Sequence, residues 1–453
     1  MTYEPKGKQV DIITSTAPVL VVLGGAGTGK TTTAVAAARA HLEAADRWLL
    51  AVRRAAMASG QRTRLRAAQR ALFLSFSRTA AAQIIDRASA VIGPFGPRLE
   101  VATFHGFAWR IITSFGAHHG FPLPQSILSA ANSRVPGAPS GITYDQLIPA
   151  ARILLAIPKI AEHYSNRYCV VICDEFQDTD AAEWTFLQLI APSSRRIFLG
   201  DVNQCIYRGF KPAVDPAARI AAASVLPGAI LIDLPPASFR DPSGILPAAA
   251  DAARQRRFTD PAIRFAITTG RLSITRINDG IGHAQVIDLA RQALRRRHSV
   301  SIFTHTIAAT TAVSDALTAA GLRHEQVGFG EAYGEALLAQ LALAQFALGD
   351  TSAPLRRSLA VYVTATLGGK NTSPPPELAQ QLYYGTNPIL ERALGQLVVD
   401  LRSAAATSPD LDRLADTITG AYARIGMNRP GVSGDSICWE SWGHGKIVEE
   451  LSG

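Results

Sequence analysis

The sequence predicts an α/β fold in which a mostly parallel sheet carries helices on both faces. Three observations predict it. Short runs of apolar, often β-branched residues alternate with Ala-rich helical stretches through the first half of the chain. A glycine-rich loop stands between one such run and the helix that follows it. Two adjacent carboxylates, Asp174 and Glu175, directly follow another apolar run.

The predicted strands of the first half are short and continuously apolar, which is typical of strands covered on both faces. They are residues 19–23, 71–76, 169–173, 196–199 and 229–234. The first two of these strands are each followed by a predicted helix, at 31–45 and 79–91. Together they predict a core domain made of residues 1–115 and 166–265. The intervening residues 116–165 show no strong strand signal and are predicted to form an inserted helical subdomain.

A second α/β pattern begins later in the chain. Apolar runs at 272–276 and 299–304 predict strands, and 307–320 predicts the helix after them. We therefore expect residues 266–330 to start a second core. From residue 331 to 453 the Leu/Ala periodicity predicts a mainly helical region, similar to the helical subdomains that interrupt such cores.

Composition limits the possible partners and locations. The 453 residues carry a formal charge of +9 with a pI of about 9.6, which is compatible with a polyanionic partner. Seven arginines fall within residues 47–70, which form either an edge facing nucleic acid or a solvated helix face. No long apolar run or signal peptide is found, and the four cysteines lack zinc-site spacing. We expect a cytoplasmic protein with free thiols and no membrane partner.

The glycine-rich loop has the pattern G-x-x-x-x-G-K-[ST] after a strand and before a helix, which is the pattern of a phosphate-binding loop. Its backbone N–H groups and the helix N-terminus favour phosphate oxygens. Lys30 can reach the outer phosphates, and the Thr31 hydroxyl can bind magnesium. The residues expected to hold the nucleotide here are Gly24, Gly25, Ala26, Gly27, Thr28, Gly29, Lys30, Thr31 and Thr32.

The acid pair supplies the chemistry that a phosphate-binding loop lacks. We expect Asp174 to hold Mg²⁺ through its water shell and Glu175 to orient and deprotonate the attacking water. The combination indicates hydrolysis of a nucleoside triphosphate, ATP with Mg²⁺, by a RecA-like P-loop NTPase core. An unrelated kinase or GTPase would need a phosphoacceptor or guanine-reading motif, and we find none.

Six segments in order resemble the motifs of the UvrD/PcrA/Rep group of superfamily-one DNA helicases. They cover roughly residues 5–245, a stretch that also contains the phosphate-binding loop. The six are the glutamine Gln9, the segments 74–81 and 103–107, the extended acid motif 174–179, the G-D-x-x-Q-x-I-Y segment 200–207 and the segment Ser238-Phe239-Arg240-Asp241.

The resemblance implies further nucleotide contacts. Gln9 would bond the adenine edge, and Phe239, where the family more often has Tyr, would stack on the ring. Gln204 would sense the γ-phosphate, and Arg240 would reach it as an arginine finger. With Glu175 and Lys30, these two residues complete the implied catalytic set.

The resemblance also implies a track for single-stranded DNA. Aromatic side chains would stack on bases while hydroxyls and cations hold phosphates. The residues implied are Phe76, Ser77, Arg78, Thr103, His105, Tyr207, Phe210 and Lys211. After Tyr207 the sequence departs from the family pattern. Either Phe210 and Lys211 replace the usual aromatic residue and Arg with one extra residue, or Arg208 and Gly209 fill the role with a deletion.

The second departure concerns the second core. Neither of the family's two C-terminal motifs, T-x-H-x-x-K-G-L-E and Y-V-A-x-T-R-A, is found between residues 260 and 453. The resemblance implies an ATP-dependent, 3′–5′ helicase or translocase acting on single-stranded DNA, or on duplex DNA with a 3′ tail, in repair, recombination or phage defence. The missing motifs leave an alternative open, a nucleotide-gated DNA-binding or scaffold subunit that does not unwind DNA, with a partner such as a nuclease. They also leave open whether the chain is a fragment.

Overall fold

The computed structural model describes most of the chain up to residue 406. The described residues are 4–59, 67–121, 126–138, 140–205, 214–275, 282–304, 306–324, 338–339, 341–343, 345–346, 355–367 and 376–406. The chain divides into two compact units, of which the first comprises residues 1–125 and 145–274 and the second 126–144 and 275–453.

A six-stranded parallel sheet forms the centre of the first unit, with the strand order β3-β2-β6-β7-β1-β8. The strands are β1 (Val19–Leu23), β2 (Arg70–Ser75), β3 (Leu99–Thr103), β6 (Tyr168–Cys173), β7 (Arg195–Gly200) and β8 (Ala229–Asp233). The predicted fold class is confirmed, and β3 is a strand that the sequence analysis did not predict.

The helices of the first unit surround this sheet. They are α1 (Lys8–Thr14), α2 (Lys30–Ala58), α3 (Arg78–Ile92), α4 (Phe104–Phe115), α6 (Leu147–Leu155), α7 (Pro158–Arg167), α8 (Ala181–Leu189), α9 (Pro216–Ser224), α10 (Ile245–Arg254) and α11 (Pro261–Thr268). Short 3-10 helices lie at Gly93–Arg98, Gly116–His119, Tyr144–Gln146 and Phe176–Asp178.

Both faces of the central strands are buried, as continuous apolar runs require. Alternate residues such as Val22, Phe73 and Ile172 pack against α2 and α3 in one cluster. On the opposite face the Phe198 ring lies 5.4 Å from the ring of Trp184 in α8. The sheet therefore lies between two layers of helices.

Helix α2 is longer than predicted, because it continues from residue 45 to Ala58. Its added turns consist mostly of Ala, Leu and Arg, which are strong helix formers. The helix ends only at Ser59. This added part, residues 47–58, is largely exposed and is called the α2 extension below.

The second unit, as far as the structure describes it, is helical apart from two short strands. The strands β4 (Ile127–Leu128) and β5 (Ile142–Thr143) pair in parallel. The helices are α5 (Ala130–Arg134), α12 (Gly282–Arg295), α13 (Ile307–Ala319), α14 (Leu355–Leu367), α15 (Pro376–Tyr384) and α16 (Pro388–Ala406). Helices α5, α14 and α15 share a small apolar cluster.

Two strand predictions in the second half are wrong. The described backbone of residues 272–275 and 299–304 is neither helix nor strand. Most side chains there are exposed, Ile274 by 72% and Phe303 by 92%, and the half-buried Leu272 packs on the apolar cluster of α10 and α11. The runs therefore lack the burial on a pleated surface that favours a strand. The assignment of residues 266–330 to a second core stays a prediction.

The segment 116–165 is divided between the two units. Residues 126–144 belong to the second unit. Helix α6 belongs to the first unit, where it packs against α4 and α8 with Leu147 and Leu154 fully buried. The proposed domain limits therefore stay predictions. No helix among the described residues is long and apolar enough to cross a membrane.

A buried histidine fixes α2 to the sheet. The Nδ1 atom of His41 lies 2.9 Å from the Arg195 guanidinium of β7. Because arginine only donates, the neutral ring must accept at Nδ1. Burial, with the positive charge of Arg195, lowers the pKa of His41 to about 4. The folded protein thus keeps this ring neutral where an unfolded chain would protonate it.

We predict that this histidine makes folding sensitive to acid. The unfolded chain binds the extra proton below its ordinary pKa of 6.5, so stability is full above that pH and falls as the pH drops from 6.5 to about 4. The expected loss is on the order of 2–3 kcal/mol. Replacing His41 with Gln, whose amide oxygen can accept from Arg195, should flatten urea-derived stability across that range. The exposed His118→Gln variant is the control, and equal pH slopes for all three proteins would contradict the prediction.

Candidate nucleotide-binding site

The glycine-rich loop lies between β1 and α2, at the carboxyl edge of the sheet. Gly27 and Gly29 adopt φ angles of 79° and 85°, which favour glycine. The Gly24 N–H donates to the carbonyl oxygen of Gly200 at 3.1 Å, which fastens the loop to the end of β7. The loop is therefore folded as a phosphate-binding loop, with Thr28 capping its turn through a 2.9 Å bond to the Gly25 carbonyl oxygen.

Lys30 is the first residue of α2 and is only 8% exposed. Its ammonium group donates to the carbonyl oxygens of Gly24 and, at 3.2 Å, Gly25. These bonds hold the charge inside the curve of the loop. A group with anionic oxygens would fit there, because it would compensate the charge better than two carbonyls do.

Thr31 and Asp174 bring two oxygen ligands together across the sheet. The Thr31 hydroxyl donates to Asp174 Oδ2 at 3.1 Å. Burial and the neighbouring Glu175 raise the pKa of Asp174 to about 6, although Thr31 and Lys30 act in the opposite direction. A hydroxyl beside a carboxylate is a set of oxygen ligands that suits Mg²⁺. The positive charge of the ion would stabilise the ionised form of Asp174, which burial and Glu175 destabilise. The residues present therefore fit a nucleotide with its magnesium ion.

Glu175 stands at a sharp turn directly after β6. Its φ and ψ of 52° and 36° are left-handed, which is uncommon for a residue with a side chain. The Asp174 N–H donates to the Leu74 carbonyl oxygen at 3.0 Å, so the turn starts from a fixed point on β2. This conformation brings the second carboxylate to the same edge as the first, as the sequence analysis expected.

Gln177 holds Glu175 in place, and the sequence analysis did not identify it. Its fully buried amide nitrogen donates at 2.8 Å both to Glu175 Oε2 and to the backbone oxygen of Gln204. Its oxygen accepts from the Asp201 N–H at 3.3 Å. The signal was present in the acid motif, where Gln177 follows Glu175 by two residues. Its role, however, depends on the distant segment 201–204.

The predicted adenine-contacting residues converge on Gly29. A Cβ atom at Gly29 would lie 3.0 Å from Gln9 Nε2 and 3.4 Å from the Phe239 ring. Gln9 is buried and donates to the Thr28 carbonyl oxygen at 3.3 Å. Phe239 is 62% exposed, and its N–H donates to the Gly27 carbonyl oxygen at 2.8 Å. An exposed ring fixed beside the loop can stack on a flat ligand.

The two remaining predicted phosphate contacts are Arg240, beside the loop, and Gln204, which the Gln177 amide joins to Glu175. Arg240 is exposed, and its Cγ atom would lie 3.4 Å from a Cβ atom at Gly27. Gln204 is half-buried and ends the turn that begins at Asp201, whose carbonyl oxygen accepts from its N–H at 3.2 Å. The predicted roles of both residues stay predictions.

Four of the predicted DNA contacts lie at the carboxyl ends of β2 and β3. The Phe76 and Phe104 rings stack with centroids 5.0 Å apart, and His105 follows in α4. Ser77 and Thr103 cap α3 and α4 by accepting from Ala80 and Gly106 N–H groups at 3.0 Å each. Their hydroxyl hydrogens can still donate to a phosphate. The side chain of Arg78 and all of Tyr207, Phe210 and Lys211 lie outside the described residues, so these contacts, and the alternatives around Arg208, stay predictions.

Comparison with known proteins agrees with this geometry. A family model described as an AAA domain matches residues 9–210, from Gln9 through the acid motif to the segment of Gln204. The matched residues include the phosphate-binding loop, the acid motif and the other segments up to Gln204 that resemble those of superfamily-one helicases.

Individual relatives match the chain over short stretches. DNA helicase II of Escherichia coli is 33% identical over 104 residues, which is 23% of this chain and 14% of that protein. An ATP-dependent helicase/nuclease subunit of Streptococcus sanguinis is 37% identical over 59 residues, 13% of this chain and 5% of that protein. The similarity therefore concerns part of each relative.

We predict that Gln177 positions Glu175 for its role in nucleotide hydrolysis. Gln177→Ala removes three hydrogen bonds and should lower the rate of nucleotide hydrolysis by on the order of tenfold to a hundredfold. Binding of a fluorescent nucleotide should change little, because Gln177 does not contact the loop. Gln188→Ala, which makes the same change at a half-buried position near the end of α8, is the control. A variant with full hydrolysis, or one that loses nucleotide binding equally, would contradict the positioning role.

Proposed function

We propose that the chain is an ATP-dependent DNA helicase- or translocase-type ATPase that acts on single-stranded DNA and moves 3′ to 5′. The observation that carries the proposal is the 3.1 Å bond between the Thr31 hydroxyl and Asp174, beside Lys30 and Glu175. A storage or sensing site needs no second carboxylate held at a strained turn. A hydrolase does, because an attacking water must be oriented and deprotonated.

The side chains divide the chemical work between them. Thr31 and Asp174 would hold Mg²⁺, which supplies charge neutralisation at the phosphates. Lys30 would bind the outer phosphate oxygens, and Glu175 would take the proton from water. Gln204 and Arg240 would contact the γ-phosphate, so that both residues lose a bonding partner once this phosphate has been hydrolysed and released.

Single-stranded DNA is proposed as the partner on two grounds. Phe76 and His105 lie at the same edge of the sheet as the nucleotide site, where stacked bases would adjoin the catalytic loops. Two of the relatives are named as a DNA helicase and as part of a helicase/nuclease. We extend the proposal to duplex DNA with a 3′ tail, to a role in repair, recombination or phage defence in the cytoplasm, and to a nuclease as the possible protein partner.

The proposal predicts hydrolysis of ATP that single-stranded DNA stimulates. Lys30→Ala should lower the rate by on the order of a hundredfold or more, because phosphate charge is no longer compensated. Glu175→Gln should keep ATP binding while lowering hydrolysis by roughly 10²–10⁴. Release of phosphate, measured with and without oligothymidylate, tests both, with the exposed Arg264→Ala variant as the control. A rate that DNA does not change would refute the proposal.

A second candidate is a nucleotide-gated DNA-binding or scaffold subunit that does not unwind DNA. It is favoured by the second unit, whose described residues form helices and two-residue strands rather than a second large sheet. A motor of this type steps by closing a cleft between two cores, so a single core could bind DNA under ATP control without stepping.

Strand displacement separates the two candidates. With a duplex that carries a 3′ tail, the first candidate predicts ATP-dependent release of the labelled strand, and the second predicts ATP-dependent binding alone. Glu175→Gln is the control in both cases, since it should bind without release. Release by the purified chain would exclude the scaffold function.

A further inference from the structure

A groove of about 640 Å³ lies at the amino-terminal edge of the sheet. Its walls include Trp48 of α2, Gln69 before β2, Asn166 of α7 and Ser193 before β7. Since the strands are parallel, this edge is opposite to the edge of the glycine-rich loop. Strands of five or six residues separate the two edges by about 16–20 Å. The groove is thus distinct from the nucleotide site and from the predicted DNA contacts around Phe76.

Trp48 gives the groove an aromatic wall. Trp48 is 54% exposed, although tryptophan is highly buried on average in folded proteins. Around it the groove is lined by two prolines and an alanine as well as by polar groups. Gln69 Nε2 donates to the Asn166 carbonyl oxygen, and Ser165 Oγ accepts from the Ser193 N–H, both at 3.4 Å. A flat ring has apolar faces that can pack on Trp48 and the prolines and an edge that can bond to the polar groups, so it suits these mixed walls better than an aliphatic side chain.

The helix segment that carries Trp48 is positively charged. The α2 extension contains three arginines and no acidic residue. Arg47 and Arg54 are seven positions apart, so they lie on one face of the helix about 10 Å from each other. Neither takes part in an ion pair with another described residue.

The nearby acids do not cancel this charge. Asp46 is paired with Arg98 at 2.7 Å, and Glu162, on the groove wall, is paired with Lys159 at 3.5 Å. Two unpaired cations spaced along a helix, next to an exposed indole, match a chain that alternates phosphates and flat rings.

We propose that this groove is a second binding site for single-stranded nucleic acid, in which Trp48 stacks on a base while Arg47 and Arg54 contact flanking phosphates. The site goes beyond the proposed function, because none of its residues belongs to the motifs that serve the nucleotide or the first DNA track. It would hold a strand on the far side of the core from the ATP site.

Photocrosslinking tests the position of the strand directly. A short oligothymidylate that contains 5-iododeoxyuridine crosslinks to aromatic side chains that stack on it. Trypsin cleaves after Arg47 and Arg53, so Trp48 is released in the peptide of residues 48–53. We expect a crosslink in this peptide, and its loss in Trp48→Ala. Leu50→Ala, which removes an exposed side chain from the same peptide, should keep it.

Binding measurements test the role of the arginines. In fluorescence anisotropy without nucleotide, Arg47→Glu/Arg54→Glu should weaken binding of oligothymidylate by about tenfold or more at low salt and reduce the salt dependence. The matched control Arg264→Glu/Arg295→Glu makes the same change of charge on two other exposed helices. It should bind nearly as the unaltered chain does.

Two results would overturn the proposal. One is that crosslinks occur only in peptides that contain Phe76 or His105, which would assign the groove to another occupant such as a protein segment. The other is that the Arg47/Arg54 variant binds no more weakly than its control. Neither measurement needs ATP, so the two proposals can be tested separately. If DNA did not stimulate ATP hydrolysis, the proposed helicase-type activity would be refuted, while a crosslink at Trp48 would still support the groove as a nucleic-acid site.

Discussion

The parallel direction of the six strands determines where everything else in the first unit can lie. Each strand ends at the same edge, so the segments that follow β1, β6, β7 and β8 all open towards one place. The ladder continues just past the strand ends, through the bonds from Gly24 N to Gly200 O and from Leu234 N to Leu23 O, 3.1 and 2.8 Å long. A slip of one residue would turn the side chains that follow to the opposite face. The register therefore fixes the position of Lys30 relative to Asp174, although 144 positions in the chain separate them.

The site also depends on a polar layer beneath it. Gln177 and Thr179 are fully buried, and burying such groups costs free energy unless they are bonded. Thr179 donates to the Phe176 carbonyl oxygen at 2.7 Å, and the Gln177 amide uses both of its N–H groups and its oxygen. Because the bonds of Gln177 join Glu175 to the segment 201–204, neither can move without leaving a buried group unpaired. This gives the half-buried Glu175 carboxylate a fixed direction.

The sequence predicted those parts of the fold and site that a local pattern determines. Continuous apolar runs predicted β1, β6 and β7 because both faces of these strands are buried. The loop and the acid pair were predicted because their function requires fixed spacing within a few residues.

What the sequence did not predict depends on distant contacts. Strand β3 contains Glu100 at its second position and is only half-buried, so its pattern is weak, and pairing with β2 makes it a strand. The runs 272–276 and 299–304 have the composition of strands but no neighbouring strand to pair with among the described residues. Gln177 is local in sequence to Glu175, yet its second and third partners are more than twenty residues away.

Helix α2 links the two edges of the core, because Lys30 begins it and Trp48 lies about 27 Å further along its axis. A continuous helix could couple binding at its two ends only if it had two alternative positions and each ligand favoured one of them. Its first half has no such freedom, since Val35, Ala38 and Leu42 are fully buried against the sheet and His41 is bonded to Arg195. The core should therefore not couple the two sites, and nucleotide should not change the affinity of Trp48 for a nucleic-acid strand. If one strand reached both edges, binding at one would raise its effective concentration at the other, and affinity would rise without any change in the core.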